Sequence, residues 1–141
     1  MKHLSSLLIT VLMFTFITGV FAGDKEQNWD KFSQSLVKMF KSHNEGLKQS
    51  AMQHIIQYSD KLDVQEAAFD IYNIYRWHKD VQVRRLALVA LYNTNYEWAM
   101  NQIVKDIKIE QSPALKRQMK YMVHEYFSGQ SKSDYNYLAT N

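Results

Sequence analysis

Between Val81 and Tyr92 the chain carries an apolar surface that no single interface can cover. Val83, Leu86, Ala87, Leu88, Val89, Ala90, Leu91 and Tyr92 step round an α-helix at 100° per residue and point in every direction, so this helix must be buried from all sides. In a small chain such a helix belongs at the centre of an assembly, with helices before and after it. The remaining helices should then be one-sided. The segment 29–41 obeys this, with Trp29, Phe32, Leu36, Met39 and Phe40 on one stripe. So in part does 113–127, where Leu115, Met119, Met122, Val123 and Tyr126 oppose Lys116, Arg117, Lys120 and Glu125.

Punctuation agrees with a helical chain. One proline and four glycines occur in 141 residues, and Pro113 falls between two apolar-periodic stretches, so long helices are easy to place and strands are not. Six helices are predicted, at about 29–41, 45–58, 64–78, 81–93, 97–107 and 113–127, with Asp63 as the N-cap of the third. Links of a few residues make neighbouring helices antiparallel, which gives helical hairpins. A stack of such hairpins and a closed helical bundle both accommodate six helices.

Residues 1–22 read as a targeting segment. Lys2 and His3 precede an uncharged apolar run that ends in Val20-Phe21-Ala22, and compact side chains one and three residues before a cut suit signal peptidase, so cleavage is expected before Gly23. A retained membrane anchor is the alternative, which Thr10, Thr15, Thr18 and Gly19 weaken; no stable anchor is expected after cleavage. The mature chain of 119 residues is long enough for one domain with a real core. It contains no cysteine, so packing rather than disulfides must hold it, and an exported, cysteine-free domain points to a bacterial periplasm or exterior. With Lys2 removed, 16 basic side chains face 14 acidic ones, a balance too even to favour nucleic acid as partner.

Three segments repeat a pattern of an apolar residue, a basic residue, then a polar or basic one, with a small or apolar residue four positions after the first. They start at Leu47, Val83 and Leu115, at offsets of 36 and 32 residues, and Asn44-Glu45, Lys79-Asp80 and Ser112-Pro113 precede them as helix starts. The run Asp80-Val81-Gln82-Val83-Arg84-Arg85-Leu86-Ala87-Leu88-Val89-Ala90-Leu91, and after it Ser112-Pro113-Ala114-Leu115-Lys116-Arg117, resembles the first helix of the HEAT repeat, an armadillo-type α-helical repeat. The resemblance spans 44–127. It implies a short right-handed stack of antiparallel hairpins and a protein-binding scaffold; in such stacks the basic residue commonly bonds to an acidic turn, here Asp80 beside Arg84. After Phe127 the pattern stops, and 128–141 reads as a flexible tail in which Tyr135, Tyr137 and Leu138 form a candidate docking segment.

No phosphate loop, dinucleotide fingerprint, nucleophile elbow or zinc-protease pair occurs, so no catalytic residue and no cofactor is assigned. His43, His54, His78 and His124 lack the three-or-four spacing that would present two imidazoles to one metal, and no metal site is assigned either. Asp63, Glu66 and Asp70 are spaced to share one side of the third helix, with Asn73 and Trp77 continuing the stripe. A solvated helix face accounts for them; a small hydrolase site built from Asp63, Glu66 and His54 or His78 is the chemical alternative, and a structural envelope protein is a third. Phe69, Tyr72 and Arg76 form a second face on that helix, for packing on the next repeat or for a peptide. The preferred reading is a protein or peptide partner on the inner faces of the third and fifth helices, at Asp70, Asn73, Trp77, Glu97 and Asn101.

Overall fold

A computed structural model describes residues 28–128. The expected signal peptide, 1–22, and all but the first residue of the expected tail lie outside the described residues. Within them the chain is all-α. Six helices, α1 (Trp29–Phe40), α2 (Glu45–Gln57), α3 (Ala68–Trp77), α4 (Val81–Asn93), α5 (Glu97–Asp106) and α6 (Pro113–Ser128), are joined by short links, with one 3-10 turn, Gln65–Ala67, leading into α3. No helix among the described residues is long and apolar enough to cross a membrane.

Polar caps start four of these helices, with Ser112 Oγ accepting the Leu115 amide before α6. Asn28, Asn44 and Asp80 stand in extended conformation before α1, α2 and α4 and accept the amides of Lys31, Leu47 and Gln82, which satisfies donors that the helix itself leaves without partners. Pro113 occupies the first position of α6, where its fixed φ suits the helix and its missing N–H costs nothing. Between α4 and α5 the chain turns at Asn95, φ 49°, a left-handed conformation that asparagine tolerates.

The central helix is covered on most sides rather than all, since Leu86, Val89 and Tyr92 are only partly buried and Arg85 is exposed. α4 packs against α2, α3, α5 and α6, and Ala87, Leu88, Ala90 and Leu91 are wholly buried. The outer helices are one-sided: α1 buries Ser33, Leu36 and Phe40, and α6 buries Leu115, Met119, Met122, Val123 and Phe127. Ser33 is the polar member of its stripe because its Oγ accepts the backbone N–H of Asp63 at 3.1 Å, which ties α1 to the approach of α3.

That approach differs from the expected helix 64–78. Val64 stands at φ −132° with its side chain buried, the next three residues form the 3-10 turn, and the α-helix begins only at Ala68 with no side-chain cap. Asp63 is therefore not the N-cap of this helix. A 3-10 turn winds at three residues per turn rather than 3.6, so the single stripe through Asp63, Glu66 and Asp70 does not form.

A candidate docking groove

The C-terminal end of α1, the first turn of α2 and the outer face of α3 enclose an open groove of about 330 Å³, lined by Phe40, Glu45, Lys48, Asp70, Asn73, Ile74, Trp77 and His78. Spacing along α3 explains its composition: Asp70, Asn73, Ile74 and Trp77 follow three-and-four steps and so share a face. Phe40 belongs to the buried core, whereas Trp77 is 75% exposed and carries the Arg76 guanidinium 5.2 Å from its ring centroid. The groove thus runs from core side chains to an open aromatic rim.

Two ion pairs set its electrostatics. Lys41 Nζ reaches Asp70 Oδ2 at 2.6 Å, and Lys48 Nζ reaches Glu45 Oε1 at 2.9 Å within the first turn of α2. The Asp70 side chain is 26% exposed against 67% for Lys41, so the carboxylate is held by the fold and the ammonium lies mainly in solvent. His78 is occupied locally: its Nδ1 accepts the backbone N–H of Asp80 at 3.0 Å and so shapes the link into α4.

Of the five expected binding residues, the structure brings Asp70, Asn73 and Trp77 together in this groove. Glu97 and Asn101 are exposed one turn apart on α5 and do not line it. Phe40, Glu45 and Lys48 were not anticipated as its other wall. Asp63 and Glu66 are exposed and outside the groove. His54 lies among aromatic rings instead, edge-on to Phe32 and stacked with Tyr58 at 6.1 Å, and its buried Nδ1 has no hydrogen-bond partner among the described residues. No cluster of three or more His, Asp or Glu able to hold a metal ion occurs among the described residues.

The second face of α3 packs on α5. Tyr72 donates its hydroxyl to Asp106 Oδ2 at 2.9 Å, Arg76 pairs with the same carboxylate at 3.3 Å, and Trp98 of α5 stands edge-on to Tyr72 at 5.8 Å. Burial and the Asp106 carboxylate both raise the Tyr72 pKa. Phe69, beside Trp98, is the exposed margin of this contact.

Arg84 also finds a different partner from the one expected. Asp80 spends its carboxylate on the N-cap, and Arg84 pairs with Glu110 in the α5–α6 link while its Nε donates to the Tyr75 carbonyl at 2.7 Å. Glu110 is buried, accepts the Ser112 N–H at 2.9 Å and the Tyr75 hydroxyl at 3.1 Å. Burial disfavours its charge, but the Ser112 amide, Arg84 and Tyr75 together outweigh that cost and hold its pKa below the ordinary 4.5. Tyr75 moves the other way, pushed up first by burial and then by the charges of Glu110 and Asp106. Arg85 donates to Gln118 on α6 at 3.1 Å, and Arg117 and Lys120 face solvent.

No family model, no curated protein and no solved structure matches the chain. The described residues form a small all-helical domain of six helices.

Proposed function

We propose that this chain is an exported interaction module that docks a protein or peptide partner in the α1–α2–α3 groove. The observation that carries the reading is the groove itself, where three side chains marked by the α3 spacing meet an aromatic rim and an apolar floor. Partly exposed tryptophans are frequent anchors of protein interfaces. A hydrolytic site built from Asp63, Glu66 and His54 or His78 would need these groups in one cleft; Asp63 and Glu66 are exposed outside the groove, His54 lies among aromatic rings and His78 Nδ1 accepts the Asp80 amide, which favours binding over catalysis.

The architecture proposed with it is a HEAT-like stack of hairpins. In support, the helix pairings join elements one or two places apart along the chain: α1 on α2, α3 on α4, α4 on α5 and α5 on α6, with α2 on α4, α3 on α5 and α4 on α6 beside them. Hairpins piled in order pair this way. Export rests on the pattern of residues 1–22: the mature protein is expected to begin at Gly23, and a mature N-terminus at Met1 would replace the signal peptide by an anchor.

The docking test is site-specific photo-cross-linking in the producing cell. A benzophenone side chain at position 77 or 73 should give one discrete adduct, while the same probe at Tyr121, exposed on α6, should not. An adduct at 121 with none at 73 or 77 would place the interface elsewhere.

A further inference from the structure

We propose that the groove recognises an arginine side chain of an extended peptide, its guanidinium taken by Asp70 and the face of Trp77 and its neighbouring apolar residue by Phe40 and Ile74; this rests on the docking role above. The argument turns on which partner of the Lys41–Asp70 pair can leave. Asp70 is fixed on α3 and three-quarters shielded, whereas Lys41 is two-thirds exposed and extends from the end of α1. An exposed ammonium returns to water at little cost, since such surface pairs contribute little. A shielded carboxylate cannot follow it, so at this pair it is the cation that can be exchanged.

Arginine suits the vacated position better than lysine. A planar guanidinium can bond a carboxylate with two N–H groups and lie on an aromatic face at once, and Trp77 already holds one guanidinium, that of Arg76, at 5.2 Å while remaining 75% exposed. Asn73, on the same face of α3, supplies an amide for the peptide backbone.

The test is amide NMR titration of the purified chain with three capped tripeptides, acetyl-Leu-X-Leu-amide, where X is arginine, citrulline or glutamate. Citrulline keeps the shape and removes the charge. The arginine peptide should shift the amides of Asp70, Asn73, Trp77 and His78 with a Kd about tenfold below that of the citrulline peptide, the size of a hydrogen bond to a charged group. Asp70→Asn should abolish that preference, and Lys41→Gln, which removes the competing cation, should strengthen arginine binding. Equal affinity for arginine and citrulline at these amides would overturn the cation assignment while leaving the groove a docking site. Tighter binding of glutamate, weaker arginine binding in Lys41→Gln, or no shift at these amides would also overturn it, and absence of shifts together with absence of cross-links at 73 and 77 would remove the docking reading as well.

Discussion

Leu88 and Trp77 mark the two extremes of side-chain environment in this chain, one wholly buried in α4 and the other mostly in water. Leu88→Ala should cost about 2–5 kcal/mol, because a helix surrounded by other helices cannot collapse the cavity into solvent. Chemical denaturation measures it, and an unchanged midpoint would remove α4 from the centre. Glu110 gives the pH dependence its sign. Its folded-state pKa lies below 4.5, so its contribution is complete above that pH and is lost as the solution becomes more acid. For Tyr75, raised above the ordinary 10.0, the contribution is complete below pH 10 and is lost as the pH rises further. Thermal melts across pH should fall at both limbs, and Glu110→Gln should flatten the acid limb at a cost of roughly 1–3 kcal/mol at neutral pH. An acid limb unchanged in that variant would show that Glu110 is not the group that titrates. Little of this network was legible in sequence, since Arg84 and Glu110 are 26 positions apart and an acidic residue in a link carries no periodic signal; the nearer Asp80 looked the better partner until its N-cap role claimed it.

At the scale of elements, helices were readable where periodicity and capping coincide. α4 was anticipated at its observed bounds, Val81–Asn93, because apolar residues fill its circumference and Asp80 caps its start. Asp80→Ala should therefore destabilise the protein by about 1 kcal/mol, measured as a lowered denaturation midpoint; no change would mean that the His78 link holds the helix start without it. The beginning of α3 was misread for a physical reason. Val64, Ala67 and Ala68 are all buried, and that spacing also suits an α-helix, so the apolar pattern carries no sign of the 3-10 turn at Gln65–Ala67. Half of the groove escaped for another reason. Asp70, Asn73 and Trp77 show their shared face within one helix, but Phe40, Glu45 and Lys48 belong to α1 and α2, whose placement beside α3 is a tertiary fact that no local spacing encodes.

For the whole molecule, a helix enclosed by four others and end helices packed on one side define a gradient of stability. Native-state hydrogen exchange should find the amides of α4 among the slowest and those of α1 faster, since α1 packs chiefly on α2 and the approach to α3; uniform protection would argue against the proposed stack. The central claim, that the groove serves binding rather than folding, is tested most directly by Trp77→Ala in a paired measurement of melting temperature and affinity for the partner captured by the cross-linker at 73 or 77. With Trp77 three-quarters exposed, stability should change by no more than about 0.5 kcal/mol, while loss of an aromatic anchor should weaken binding by about 2 kcal/mol or more, roughly thirtyfold. A variant that melts far lower, or one that binds its partner as tightly as the parent, would contradict the account.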